Sequence, residues 1–377
     1  MVLPIDQSFF PSNIRLFFAQ ATLLLSQFII HANTMRRISV VYPHAITFEK
    51  AVHFGKIKQK VIDFLKAWTL PVSMVSGFLG YVAYKNLHFL DSTHEAVEAT
   101  ISWVQPALIF LMLFVTFCKV NPRQLKLKKW HIWLILIQTS SFGLLSALLY
   151  YFPSTSFRVV IESAMLCMIT PTATAAAVIT DKLGGKPASI ISYTIIANLV
   201  AGVAAPLVFP VVHPIAGQTF ATSFSLILAK VFPLLICPFF AAVLVQKFLP
   251  KFRNKILQIK DLAFYMWAIA LALAIGVTTR TLFNTDTPGV MLAGIGVVSL
   301  ASCLIQFYLG RMIGKPYGET ITAGQALGQK TTVLAIWMGY TFLSPITALA
   351  GGFYSIWHNV VNSWQLYQQK KKEENSK

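Results

Sequence analysis

The sequence predicts an all-α membrane protein with ten transmembrane helices, arranged as two inverted five-helix repeats. Three observations carry this prediction. Hydrophobic residues make up 56% of the chain and charged residues only 12%, whereas a soluble domain carries roughly 25% charged residues. Ten mostly apolar stretches are long enough to cross the hydrocarbon core, which takes about 18 residues or more. Basic residues are concentrated on one side of these stretches.

The predicted spans follow one another with short connections, so no soluble domain of any size lies between them. In chain order they are 67–84, 101–118, 131–152, 159–180, 188–212, 223–246, 261–279, 288–310, 318–343 and 345–367. Together they form a ten-helix domain over residues 66–367, with repeat one at 66–212 and repeat two at 223–367.

Two segments flank this domain. Residues 1–65 are expected to form a cytoplasmic N-terminal region, with one further apolar segment at 16–32 that is short for a span. An additional span, an interfacial helix and a leader before Met35 all fit that segment. Residues 368–377 form a basic tail, which we expect to be cytoplasmic.

The positive residues behind the net charge of +18 lie mainly on one side of the predicted spans, which indicates the membrane topology. Of the 31 Lys and Arg residues, 25 fall in alternate connecting segments, and the segments on the other side hold only Lys85, Arg158 and Arg280. Positively charged loops stay in the cytoplasm, which puts both ends of the ten-helix unit there. The expected partner of this charge is anionic lipid rather than nucleic acid. The short loops favour a bacterial inner membrane.

The sequence has no pattern typical of an enzyme or of a cofactor site. No Walker loop, nucleophile elbow or metal-ligand spacing of histidines is present. The cysteines fall in or at the ends of spans, without the loop spacing of a disulfide or zinc framework. They are Cys118, Cys167, Cys237 and Cys303. We therefore expect neither enzymatic activity nor a cofactor.

An internal duplication indicates the two repeats. In spans four and nine, residues 162–179 match residues 319–336 without a gap, from a glutamate to an isoleucine. In spans one and six, residues 70–85 match residues 232–247, from an apolar–proline pair to a lysine. Five spans per repeat is an odd number, so the second repeat must be inverted relative to the first. Inverted repeats are a common build of secondary transporters.

Spans four and nine are also predicted to be broken. Pro171 stands between threonines in the middle of span four, where it removes a backbone donor and disfavours helix before it. Residues 324–332 of span nine form a polar run that is costly in a bilayer unless it faces protein or water. A tolerated kink is the alternative for Pro171 alone. Matching interruptions in both repeats point to a binding site where they cross.

The candidate substrate- or ion-binding residues lie in these two breaks and on spans five and ten. They are Pro171, Thr172, Thr174, Thr194, Asn198, Gln325, Gly328, Gln329, Lys330, Thr331, Thr332 and Asn359. For Thr194, Asn198 and Asn359, hydrogen bonding within the helix bundle is the alternative role.

Two stretches resemble the bile acid:sodium symporter family. Residues 324–364 (GQALGQKTTVLAIWMGYTFLSPITALAGGFYSIWHNVVNSW) resemble its ninth and tenth helices, and residues 171–206 resemble its fourth and fifth. The resemblance implies a panel domain (spans 1, 2, 6 and 7) that moves against a core domain (spans 3–5 and 8–10). It also implies alternating access and a small or amphipathic organic anion as the substrate.

The sequence departs from this family at the sodium sites. A Ser-Asn pair that helps to hold sodium in the family falls on Ala176 and Ala177. The family's ninth helix has a glutamate four residues before a glutamine. If Gln329 is that glutamine, Gln325 stands where the acid should be; a shift of one residue puts Ala326 there instead. Neither alignment supplies the carboxylate, so we assign no metal ligands in this sequence.

Lys330 suggests what replaces the metal ion. A lysine in mid-span costs about 2.5–3.5 kcal/mol on insertion scales. Our hypothesis is that its ammonium occupies the place of a bound sodium, which would make transport not strictly sodium-dependent. A lysine that carries a coupling proton and a lysine that only fastens the crossing are the alternatives.

Three other functions remain open at this point. One is a non-transporting receptor or sensor on the same fold, and another is a sodium-coupled symporter with altered ligands. An intramembrane hydrolase is disfavoured because no catalytic set is visible in the sequence.

Overall fold

The part of the chain that the structure describes is built from helices. It is a computed structural model that describes residues 69–87, 93–120, 125–214, 216–259 and 262–375. The predicted N-terminal region 1–65, with its apolar segment at 16–32, lies outside the described residues.

The α-helices of the described part are numbered here in chain order. They are α1 (Thr69–Asn86), α2 (His94–Cys118), α3 (Lys129–Tyr151), α4 (Arg158–Ile169), α5 (Ala176–Lys182), α6 (Pro187–Val212), α7 (Phe220–Leu235), α8 (Cys237–Phe248), α9 (Pro250–Gln258), α10 (Leu262–Phe283), α11 (Gly289–Gly314), α12 (Thr320–Gly328), α13 (Thr332–Phe342) and α14 (Pro345–Asn375). A 3₁₀ turn, Lys315–Tyr317, joins α11 to the segment before α12.

Six helical segments are long and apolar enough to cross a membrane. They are Glu95–Cys118, Lys129–Tyr151, Pro187–Val212, Phe220–Phe248, Tyr265–Phe283 and Gly289–Tyr317. Large apolar side chains on them face outward: Trp103 and Val290 are each 80% exposed, and Leu144 is 72% exposed. Apolar surface of this extent needs a lipid or protein partner. The protein is thus a multi-pass membrane protein, and its described part is all-helical.

The other four predicted spans are also helical, but each departs from a long apolar helix. Span one is α1, which has 18 residues in the described part. Spans four and nine are each divided in two, and span ten lies within the 31-residue α14, which continues into the predicted tail. The count of ten spans therefore stays a prediction.

One interruption was not predicted. Span six is divided at Ile236, between α7 and α8, and Pro238 lies in the first turn of α8. Proline is tolerated there because the first helical residues have no intrahelical acceptor for their N–H groups.

The divided helices α4–α5 and α12–α13 are packed among α3, α6, α11 and α14. Glycines permit the closest of these contacts. A Cβ atom on Gly310 of α11 would lie 2.4 Å from the carbonyl oxygen of Ala323. One on Gly351 of α14 would lie 2.8 Å from the backbone nitrogen of Ile336. Side chains therefore cannot separate these backbones, and both halves of span nine are held tightly.

The remaining long helices associate with one another. Helix α10 packs against α1 and α2, and α2 packs against α8. These are the helices of predicted spans one, two, six and seven. A cluster of buried apolar side chains, including Ile109, Val231 and Leu271, fills the space beside them.

Candidate functional site: two interrupted helices that cross

Both predicted breaks are present in the structure. Helix α4 ends at Ile169, and α5 begins only at Ala176, so Pro171 lies in a non-helical segment. Helix α12 ends at Gly328, and α13 begins at Thr332. The hydroxyl of Thr170 donates to the carbonyl of Leu166 at 2.6 Å and closes the last turn of α4.

The two breaks lie against each other and pair as a short antiparallel bridge between Thr172 and Lys330. The backbone N–H of Ala173 donates to the carbonyl of Gln329 at 2.9 Å, and that of Thr331 donates to the carbonyl of Pro171 at 2.9 Å. Backbone groups freed by interrupting two helices in a low-dielectric interior must find new partners. Here each break supplies them to the other.

Threonine hydroxyls add two more bonds across this bridge. Thr172 Oγ1 donates to the carbonyl of Ala326 at 2.5 Å, and Thr331 Oγ1 donates to the carbonyl of Thr172 at 2.9 Å. Both side chains are buried. The crossing is thus joined by backbone and side-chain bonds in both directions. We refer to residues 170–175 and 329–331 as the crossing.

The C-terminal end of α4 is capped by side chains from three different segments. The last carbonyls of a helix lack intrahelical donors and carry partial negative charge. Three successive carbonyls receive donors at N···O distances of 3.4, 3.4 and 2.9 Å: Cys167 from Gln306 Nε2, Met168 from Lys330 Nζ and Ile169 from Gln138 Nε2.

The C-terminal end of α12 is capped in a similar way. The hydroxyl of Tyr354 on α14 donates to the carbonyl of Gly328 at 2.8 Å, in addition to the bonds to Ala326 and Gln329 described above. Tyr354 is 1% exposed, so its hydroxyl has exchanged water for this carbonyl. The ends of both interrupted helices are therefore occupied by protein donors.

Lys330 is the cation at this site. Its side chain is 1% exposed, and within the described residues no carboxylate lies at ion-pair distance from it. Its ammonium instead bonds the Met168 carbonyl at the negatively polarised end of α4. A buried lysine amine in the core of a membrane protein has to be held in this manner, by carbonyls and a helix dipole, when no anion pairs with it.

Several polar atoms in span nine and on α14 are buried without a protein partner in the described residues. On the crossing side they are Gln329 Oε1 and Thr332 Oγ1, and on α14 they are Ser355 Oγ and both ring nitrogens of His358. All four side chains are at most 2% exposed. A buried polar atom without a partner costs about 1–3 kcal/mol, so each of these atoms is suited to bind water or a polar ligand.

Other predicted residues are engaged elsewhere. The amide of Gln325 donates to Asn362 and Gln365 on α14, at 3.0 Å each, rather than to the crossing. Ala176 and Ala177, at the family's sodium-ligand positions, are the first residues of α5 and carry no side-chain oxygen. Thr174 lies in the crossing, between the bridge and α5.

The predicted residues on α6 and α14 bond their own helices. Thr194 Oγ1 donates to the Ile190 carbonyl at 2.9 Å, and Asn198 Nδ2 donates to the Thr194 carbonyl at 2.7 Å. Asn359 Nδ2 donates to the Ser355 carbonyl at 2.7 Å. The structure thus brings Thr172, Gln329, Lys330 and Thr331 together at the crossing. The side chains of Thr194, Asn198 and Asn359 instead bond the backbone of their own helices.

Each interrupted helix pair has a buried carboxylate near its beginning. Glu319, just before α12, receives hydrogen bonds from Lys128 Nζ and from Ser189 Oγ, and Lys186 Nζ lies 3.5 Å away. These partners lie at the beginnings of α3 and α6. Ionic contacts to a carboxylate that is 2% exposed are screened less than surface pairs.

The matching glutamate of repeat one has an equivalent arrangement at α4. Glu162 pairs with Arg158 Nε at 2.9 Å and accepts a hydrogen bond from Thr347 Oγ1, at the beginning of α14, at 2.9 Å. Each glutamate therefore ties its helix to the beginning of the last helix of the other repeat. The sequence match between Glu162 and Glu319 is reproduced in the contacts that they make.

Sequence reasoning missed the three capping side chains Gln138, Gln306 and Tyr354. The signal for two of them was available: Gln138 and Gln306 are amides inside the apolar spans three and eight. An amide there needs a partner, and a broken helix is the nearest source of unpaired carbonyls.

No protein-family model matches the chain, and no curated protein matches it. The fold and the crossing define the class: a multi-pass helical membrane protein with two interrupted helices bound to each other in its interior.

Proposed function

We propose that this protein is a secondary transporter that works by alternating access, with ten spans in two inverted repeats. The supporting observation is the crossing, where two interrupted helices at matching sequence positions pair through Thr172 and Lys330. Interrupted helices from two repeats are the usual setting of substrate and ion sites in such carriers. The resemblance to the bile acid:sodium symporter family agrees with this architecture.

The packing is compatible with two moving parts. Helices α1, α2, α8 and α10 associate with one another, and the crossing is packed among α3, α6, α11 and α14. We assign the first group to the panel and the second to the core that the family resemblance implies, with α7 and α10 in contact with the core helices α6 and α14. The crossing and both glutamate clusters bond helices within the second group, which favours its movement as one unit.

The residues present do not fit a bound sodium ion at the crossing. Sodium prefers several oxygen ligands, and the matching side chains are Ala176, Ala177 and Gln325, the last of which bonds α14. The nearby carbonyls at the end of α4 already receive Lys330 and two glutamine amides. We therefore propose that the Lys330 ammonium stands in for the cation and that transport does not require sodium.

The substrate that suits this site is a small or amphipathic organic anion. The Lys330 charge has no carboxylate partner among the described residues, and the N-terminus of α13 at Thr332 is positively polarised. Unpartnered atoms on Thr332, Ser355 and His358 can complete hydrogen bonds to an anionic ligand. A transported anion needs hydrogen-bonding atoms that are not already occupied by protein partners.

The test is uptake of labelled organic anions, from small carboxylates to bile acids, by proteoliposomes that contain the purified protein. We expect saturable uptake at equal rates in sodium and in choline buffers. Strict dependence on sodium would refute the replacement by Lys330 and favour a symporter with altered ligands. Binding without flux would favour a receptor, and chemical conversion of the ligand would favour a hydrolase. An enclosed pH dye distinguishes proton-coupled uptake from uncoupled uptake.

A further inference from the structure

The exposed surface of helix α9 is both basic and apolar. It is nine residues long and begins at Pro250, after Leu249 breaks the path of α8. Lys251, Phe252 and Lys255 are all exposed. The transport function does not use any of these residues.

Helix α9 and the preceding helix α8 are each bonded to the end of a membrane-spanning helix. Arg253 Nε donates to the carbonyl of Cys118, the last residue of α2, and Gln246 Nε2 donates to the carbonyl of Phe117, both at 3.0 Å. Ile256 packs inward and is 8% exposed. Because α2 and the segment containing α8 both end here, α9 lies where spanning helices leave the membrane.

The two lysines form a positive pair on one side of this helix. Lys251 and Lys255 are four residues apart, so their side chains are neighbours, and like charges at this spacing repel each other. Within the described residues neither makes an ion pair. An anion between them would remove that repulsion.

Apolar side chains lie directly beside this positive pair. At 3.6 residues per turn, Phe252 lies next to the lysines around the helix. Phe252 is 49% exposed, and Leu249 and Phe248, just before the helix, are 55% and 64% exposed. Free phosphate would satisfy the lysines but leave this apolar surface in water. A lipid with an anionic headgroup would satisfy both.

We propose that α9 lies in the membrane interface and binds an anionic phospholipid, with the phosphate between Lys251 and Lys255 and the acyl chains against Phe252 and Leu249. A basic helix with adjacent aromatic and aliphatic residues is the usual composition of interfacial helices. The face concerned is the one that the charge distribution predicts to be cytoplasmic, where anionic lipids attract basic residues.

The test measures binding of fluorescent phosphatidylglycerol to the full-length protein in detergent, with phosphatidylcholine for comparison. The double substitution K251Q/K255Q is expected to weaken binding of phosphatidylglycerol roughly 30-fold, since each lysine near an anionic surface contributes about fivefold. K371Q/K372Q removes the same charge from exposed residues of α14 and serves as the matched control, which should leave binding unchanged. F252S should weaken binding of the lipid although it leaves both charges.

Three results would overturn the proposal. Unchanged binding in K251Q/K255Q would remove the lysines from the site, and an equal loss in K371Q/K372Q would indicate diffuse charge attraction instead. Competition by glycerol phosphate at the concentration that suffices for the lipid would assign the site to free phosphate. Because both lysines are exposed, these variants are expected to fold, and unchanged thermal unfolding checks this. No outcome depends on transport.

Discussion

Lys330 combines two properties that are seldom found together in one side chain: a charge and almost complete burial. Its ammonium bonds the Met168 carbonyl, and its own backbone takes part in the bridge to Thr172. The bridge fixes the start of the side chain, and the end of α4 fixes its tip. Burial of the charge costs free energy that the helix dipole and carbonyl repay in part.

Replacing Lys330 with methionine distinguishes a role in anion transport from a role that only stabilises the crossing. K330M leaves the Met168 carbonyl without its donor, which costs about 1–3 kcal/mol, but it also removes a buried charge that costs a similar amount. We therefore expect a thermal unfolding temperature close to that of the wild type and a loss of anion uptake of more than tenfold.

The matched control is K230M, which removes an exposed lysine from α7 and should leave both properties unchanged. Normal uptake by K330M, together with a lower unfolding temperature, would identify Lys330 as a residue that only stabilises the crossing.

At the scale of residues, the sequence identified the crossing but not all of its bonds. Pro171 and the polar run at 324–332 mark the breaks because each conflicts with a helix in lipid. The donor from Tyr354 could not be assigned, because it lies on another helix and reaches the crossing only through tertiary packing. For the same reason Gln325 was expected at the crossing, although it bonds Asn362 and Gln365.

Helix α12 packs closely against α11 because Gly328 has no side chain. A Cβ atom on Gly328 would lie 2.4 Å from the ring of Phe307 on α11. The close approach lets the last turn of α12 present its carbonyls to Thr172 and Tyr354. The position of the break thus depends on contact between two helices as well as on the residues within it.

We expect G328A to destabilise the protein by about 1–3 kcal/mol, the usual cost of overpacking a core. The companion substitution F307L removes the ring that the new methyl group would strike, and the double variant should recover part of the loss. Thermal unfolding in detergent measures both.

G143A is the control, because no atom lies within 4 Å of a Cβ at that position of α3. Alanine there should be neutral or slightly stabilising, since it favours helix over glycine. If G328A were as stable as G143A, the close packing of α12 on α11 would be wrong.

Helix boundaries were the part of each element that sequence patterns predicted least well. Spans four and nine were predicted as continuous ranges with a break inside, and the helical parts end at Ile169 and Gly328. The interruption of span six at Ile236 was not predicted, although Pro238 follows it by two residues. The hydropathy of a segment reflects its contact with lipid. Because that contact is the same on both sides of a division within the bundle, the hydropathy profile does not reveal the division.

At the scale of the whole molecule, the two glutamate clusters suggest an approximate twofold relation. Glu162 contacts the beginning of α14 through Thr347, and Glu319 contacts the beginning of α6 through Ser189. In the inverted-repeat topology these clusters lie at opposite membrane faces. Each can then join the two repeats at one face, while the crossing joins them midway.

That topology requires the divided pair α4–α5 to carry the chain across the membrane, although neither helix is long enough alone. Cysteines introduced at Ser154 and Gly184, in the connections before α4 and after α5, should then lie on opposite sides. We expect an impermeant maleimide added outside sealed, oriented vesicles to label S154C but not G184C, and K371C should be protected like G184C. The native Cys118, Cys167 and Cys303 are buried, and the half-buried Cys237 is replaced with serine so that the background is low. Labelling of S154C and G184C from the same side would mean that the pair re-enters without crossing, and an inverted repeat of five spans could not then be built.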